Sequence, residues 1–305
     1  MQDKTILAVV DPSAADRQPV LERVAWLAKR ANARVVLFAC DFDSDLDPDT
    51  LSTLWAPQPG ARDDLLAKHR RALEALAQPL AAGGIDVSVD VAWDRPLDEA
   101  VVRKAVDSGA WLVAKDTQHY NVVQRTLLSS TDWHLVRNCP VPLWLVKDRP
   151  LAAAPKVFAA VDPLHQHDKP ARLDDRIFTF AEKLAQAAGG SLHVVHAISM
   201  PMGIELPIDA RNVIAAEHRA AMERFLGTHP LPGDAVHMYE GLAHECLQQA
   251  ARDHGADFMV MGAVARSGLK RLMIGSTAQR VLDRLPCDLV IIKPLEFEVP
   301  EDVDR

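Results

Sequence analysis

Aromatic side chains are scarce: Trp, Tyr and Phe make up 5% of the 305 residues, whereas apolar residues as a whole reach 49%. Aliphatic Leu, Val, Ile and Ala must therefore fill the interior, and the ordinary 25% of charged residues excludes a disordered or fibrous chain. Cysteine is nearly absent. Cys40, Cys139, Cys246 and Cys287 lie far apart with no CxxC pair, which fits reduced thiols better than a disulfide framework and points to the cytoplasm. No apolar run approaches the ~18 residues of a membrane span, and the apolar part of MQDKTILAVVDPS is too short for a signal-peptide core, so no membrane span is expected. Positive charge is also in deficit. A net charge of -8 argues against broad binding to nucleic acid or anionic lipid, so no nucleic-acid partner is expected.

Several catalytic signatures are missing too. There is no GxSxG. His244-Glu245 begins a zincin-like pattern, but Gln248 stands where the second histidine belongs. The acidic stretch DFDSDLDPD (41–49) lacks the glycine and glutamate of a calcium loop and reads as solvated. Cys139 and Cys287 each adjoin a proline before a final strand and read as buried structural thiols.

What the chain does contain is a repeat. TILAVVDPS (5–13) returns as KVFAAVDPL (156–164), and DSGAWLVAKD (107–116) returns as DHGADFMVMG (253–262). The second correspondence continues without a gap through Thr131/Thr277, Pro140/Pro286 and Lys147/Lys293. Each copy alternates β-like runs with amphipathic stretches, the pattern of parallel strands joined by crossover helices. Strands are predicted near 5–10, 34–40, 85–92, 111–115 and 142–147, then near 156–161, 191–197, 235–240, 257–261 and 288–293. Helices are predicted at about 17–32, 62–82, 97–108 and 130–138, then 171–188, 209–227, 242–254 and 276–284. The fold class is therefore α/β: two tandem doubly wound five-stranded parallel-sheet domains, 1–148 and 155–296, joined by DRPLAAAP. Any ligand crevice should lie outside the carboxyl ends of the strands, where Asp11, Asp162, Lys115–His119 and Met261–Ala265 fall.

The stretch most suggestive of chemistry is 257–293. A strand runs into a loop beginning at Gly262, and Gly275-Ser276-Thr277 opens a helix. Backbone N–H groups at a helix start, with no side chain from Gly275 in the way, suit phosphate oxygens. Either hydroxyl serves equally well as a plain N-cap.

These residues resemble the universal stress protein family. Its nucleotide-binding members carry the pattern Gly, two residues, Gly, nine residues, Gly, Ser or Thr; here Gly262, Gly275 and Ser276 match and Ala265 replaces the second glycine. Because both halves share the resemblance, the chain is similar to tandem members, and KDTQHYN and STDWHL resemble the E-type subgroup. The resemblance implies ATP with Mg²⁺ in the second domain. Asp162 would face the base, Val195 would lie beside it, Met261 would support it, and Gly262, Ala265, Gly275, Ser276 and Thr277 would surround the phosphates. If Ala265 needs a positive φ, its β-carbon costs roughly 1 kcal/mol or more; if its backbone is helical the cost is small.

The first copy departs further, with Asp116, His119 and Ser129 in place of three glycines and only Ser130-Thr131 retained. A carboxylate and an imidazole where phosphates should approach predict that this domain does not bind ATP. Asp116 and His119, near Asp11, instead suggest a zinc site if further ligands exist. His193 and His196, three apart on one strand, should point to opposite faces and cannot share an ion. The resemblance also implies that the two last strands, PLWLVK and DLVIIK, cover each other in an intramolecular pseudo-dimer, which leaves a homodimer of whole chains as a further expectation. The leading expectation is a stress-response protein that binds a nucleotide. A slow ATP hydrolase and a zinc-assisted carrier of a nucleotide-sugar lipid are the alternatives.

Overall fold

The computed structural model describes residues 4–14, 17–41, 60–117, 129–164, 172–200, 207–263 and 284–297. They divide into two compact units, the first running to Thr117 and resuming over Ser129–Asp148, the second covering Arg149–Phe297.

Unit 1 contains β1 (Thr5–Val9), α1 (Pro19–Ala31), β2 (Arg34–Asp41), α2 (Ala61–Ala82), β3 (Val87–Trp93), α3 (Leu97–Asp107), β4 (Leu112–Asp116), α4 (Ser130–Asn138) and β5 (Leu143–Val146). Its strands lie in the order β3-β2-β1-β4-β5, and every pair is parallel. The central strand TILAV is buried along its whole length, as expected of a parallel strand covered on both faces. Helix α1 shows the local logic of these units. Pro19 opens it, Glu22 lies in its first turn, Lys29 and Arg30 lie in its last, and Asn32 closes it in the left-handed conformation. Val20, Val24, Leu27 and Ala28 form its buried stripe. Trp144 on β5 is also fully buried.

Unit 2 repeats the plan with β6 (Lys156–Ala160), α5 (Leu173–Ala188), β7 (Ser191–Ile198), α6 (Ile208–Thr228), β8 (Val236–Glu240), α7 (Ala243–His254), β9 (Phe258–Gly262) and β10 (Asp288–Ile292). The strand order is β10-β9-β6-β7-β8, again parallel throughout. The helix predicted at 276–284 lies outside the described residues except for its last position.

Local chemistry ties the linker to unit 2. Arg149 donates to the Ala256 carbonyl at 2.9 Å and pairs with the Asp257 carboxylate at 3.0 Å, while that carboxylate also accepts the Lys156 N–H. Gly190 lets the chain pass here, because a β-carbon at this position would overlap the Pro155 carbonyl oxygen. In both sheets the strand order reverses between the first and fourth strands of the copy, β1/β4 and β6/β9. By the topology of such folds, that reversal is where a ligand crevice is expected, at the carboxyl ends of the strands.

Candidate functional site

In unit 2 three sequence-predicted residues converge because of strand register. Ala160 at the end of β6 pairs with Val195 of β7 on one side and with Met261 of β9 on the other. Val161 continues this end by donating its N–H to the Val195 carbonyl at 3.1 Å, and Asp162 follows it. Val195 is fully buried and Met261 nearly so, whereas Asp162 and Gly262 keep partial exposure. The Asp162 N–H donates to the buried Asp174 carboxylate at 3.1 Å, which ties the end of β6 to the first turn of α5.

Gly262 acquires a second reason to be glycine. A β-carbon there would come within 2.7 Å of the Leu173 side chain and 3.3 Å of Ile177, so its absence lets α5 approach β9. Ala265, Gly275, Ser276 and Thr277 lie outside the described residues.

Behind this crevice is a histidine pair whose role the sequence did not reveal. His196 and His218 are each 1% exposed and their rings meet through Nε2 and Nδ1 at 2.6 Å. The other ring nitrogen of His196 lies 2.9 Å from the Val161 carbonyl. An imidazole nitrogen facing a carbonyl must donate to it, so His196 Nδ1 carries a proton, and in the neutral ring Nε2 accepts a hydrogen bond from the His218 Nδ1–H. Burial and the neighbouring His196 push the His218 pKa down, against an opposing pull from Asp162 and Glu217.

Unit 1 fills the same positions differently. Lys115 stands where unit 2 has Met261, and its ammonium lies 2.8 Å from the Asp132 carboxylate, which is completely buried. Asp132 also accepts the Ser129 N–H at 2.8 Å, while Ser129 Oγ accepts the Asp132 N–H at 3.1 Å, making a capping box at the start of α4. This helix start corresponds to Gly275-Ser276 of the second copy, and it already carries a carboxylate of its own. Paired as it is with Lys115, that carboxylate acts by occupancy: it already takes the Ser129 N–H that a phosphate oxygen would need. The spacing Ser129-x-x-Asp132 was the available sequence signal, and the second copy has Ala278 where Asp132 stands.

Asp116, proposed from sequence as a metal ligand, accepts the Val20 N–H at 2.8 Å and so caps the start of α1. Asp11 forms a tight turn instead, accepting from the Ser13 N–H and hydroxyl at 2.8 and 2.6 Å. His119 lies outside the described residues. Among the described residues no group of three or more His, Cys, Asp or Glu is arranged to hold a metal ion. The zinc expectation gains no support among the described residues.

As expected, His193 and His196 face opposite ways: His193 stacks on Phe158, and His196 meets His218. Cys139, Cys246 and Cys287 are buried, and burial pushes the thiols of Cys40 and Cys246 up to about 12 and about 11. No helix among the described residues is long and apolar enough to cross a membrane.

The family model described as the universal stress protein family matches residues 3–147 and 168–293. Universal stress protein E of Escherichia coli K12 is 27% identical over 311 aligned residues, covering 99% of this chain and 97% of that protein. Its counterpart in Photorhabdus laumondii is 28% identical, with 97% of each chain covered. The crystal structure of a functionally unknown Pseudomonas aeruginosa protein superposes with a TM-score of 0.76 at 26% identity, covering 99% of this chain and 94% of that one.

Proposed function

The chain belongs to the universal stress protein family, as a tandem member of the E type, and we propose that unit 2 binds an adenine nucleotide, ATP with Mg²⁺, while unit 1 does not. Family membership places the chain among stress-response proteins; the nucleotide is the finer claim. The observation that carries it is the register bringing Val195, Met261 and the Val161-Asp162 strand end together at the point where the strand order reverses. This set fits an adenine. Val195 and Met261 form an apolar floor under the strand ends, and the partly exposed Asp162 offers a carboxylate able to accept from an exocyclic amine.

The phosphates are assigned to Gly262, Ala265 and Gly275-Ser276-Thr277, where the sequence predicts a helix start. Their N–H groups and hydroxyls suit anionic oxygens, and Mg²⁺ supplies charge neutralisation when bound. The nucleotide-occupied state is the signal, with turnover at most slow. Scattered thiols held protonated by burial suit a reducing cytoplasm.

Calorimetric titration of the whole chain with ATP·Mg²⁺ tests the proposal, alongside a Gly275→Val/Ser276→Ala double variant checked for unchanged secondary structure. Heat of binding in the wild type that weakens by at least about tenfold in the variant is expected, since the variant blocks the approach of phosphate to backbone donors. A wild type without binding, or a variant that binds equally well, overturns it.

A further inference from the structure

On the face of the unit 2 sheet opposite the His196–His218 pair lies a second histidine cluster, apart from the proposed nucleotide site. Phe158 of β6 lies against His193 of β7 with ring centroids 4.8 Å apart and planes 9° apart. His193 is followed by His237 of β8 at 5.3 Å, and His237 by His254, the last residue of α7, at 3.9 Å. His193 Nδ1 and His237 Nε2 share a hydrogen bond at 3.1 Å. Ser191 Oγ lies 3.0 Å from His193 Nε2, and Tyr239 joins His254 Nε2 at 3.0 Å to the Asp253 carboxylate at 3.2 Å. In unit 1, by strand register and the repeat, Val36, Asp90 and Ser108 occupy the equivalent places.

β8 is the outer strand in the order β10-β9-β6-β7-β8, and α7 follows it directly. The imidazole stack is thus one of the fastenings of this edge. We propose that the stack is an acid-operated latch, holding β8 and the end of α7 to β6 and β7 while its imidazoles are neutral and releasing them when it is protonated.

The physics lies in what surrounds the rings. A shared N–H···N bond needs one imidazole nitrogen without a proton, and a second proton turns the contact into two donors and two like charges. The groups facing His193 and His237 are mostly positive or become so: Lys156 from β6, His254 from α7 and each other, with Asp234 of the 3₁₀ turn before β8 as the opposing carboxylate. Asp253 is engaged by Tyr239. Burial, then His254 and His193, hold the His237 pKa down to about 4, and burial with Lys156 lowers that of His193. An opened edge, with histidines near their ordinary value of about 6.5, binds more protons than the closed one, so closure is fully stable above that pH and weakens as pH falls towards about 4.

Hydrogen–deuterium exchange of the full chain in EDTA at pH 7.5 and 5.0, corrected for intrinsic rates, reads the latch directly. Protection of β8 and α7 should fall by about tenfold at pH 5.0, while β3 and α3 of unit 1 change by less than about threefold. In His237→Gln the β8 loss should shrink below about threefold, a result that separates the stack from the His196–His218 pair, whose charged neighbours are Asp162 and Glu217. No loss in the wild type, or an equal loss in the variant, overturns the proposal. If the variant does not fold, ring resonances of the wild type decide: His237 titrating below pH 5 supports the latch, and titration near its ordinary value overturns it.

Discussion

At the residue scale the two copies part where a carboxylate replaces a small side chain. Asp132 and Lys115 in unit 1 correspond to Ala278 and Met261, so one copy carries an internal ion pair where the sequence of the other has two apolar residues. Removing one partner of a buried pair strands the other. Asp132→Ala should therefore lower the stability of unit 1 by about 3 kcal/mol, and adding Lys115→Met, which copies the second unit, should restore most of it. All six Trp lie in the first copy, so urea unfolding followed by Trp fluorescence reads unit 1 by itself. The thiols allow a second prediction. With Cys40 and Cys246 held near 12 and 11, iodoacetamide at pH 8 should label the folded chain far more slowly than the urea-unfolded chain, as intact-mass spectra would show; equal rates would refute their burial as protonated thiols. The family resemblance named Asp162, Val195 and Met261, and the strand register brings them to one end of the sheet. Lys115–Asp132 and His196–His218 were not legible, since each joins elements whose mutual approach only the folded chain fixes.

Elements were legible almost to the residue. Periodicity and end signals predicted a helix at 17–32, where α1 runs Pro19–Ala31, and at 97–108, where α3 runs Leu97–Asp107. What the pattern did not show is how helices are fastened to strand ends. In unit 1 Asp116 of β4 caps α1, whereas in unit 2 Asp174 of α5 reaches back to the end of β6, so a carboxylate in each unit serves this corner from opposite partners. Gly262 stands where Asp116 stands in the first copy, and its lack of a β-carbon admits Leu173. Gly262→Ala should consequently lower the stability of unit 2 by about 1 kcal/mol, and Leu173→Ala should relieve part of that cost in a double-mutant cycle followed by circular dichroism. Strict additivity would show that the close approach is not the reason for the glycine.

For the whole molecule, duplication gave two units of one topology, and divergence gave them different chemistry. Nine of the 12 histidines fall after residue 148, and His193, His218 and His237 are all lowered, chiefly by burial. Neutral histidines in the fold bind fewer protons than the unfolded chain between about pH 4 and 6.5, so the stability of unit 2 is complete above that window and declines within it. On acidification from pH 7 to 5, thermal unfolding followed by far-ultraviolet circular dichroism should gain a low-temperature phase absent from Trp fluorescence. The repeat itself was legible in sequence, and so was the unlikeness of its two loops; the Asp132 carboxylate that occupies the start of α4 was not, because its place depends on the folded chain. The central claim is that one unit is open to nucleotide and the other is closed by its own carboxylate, and native mass spectrometry with ATP·Mg²⁺ tests it most directly. One nucleotide per chain, absent from the Gly275→Val/Ser276→Ala variant, is the predicted result; two per chain, or none, would contradict it.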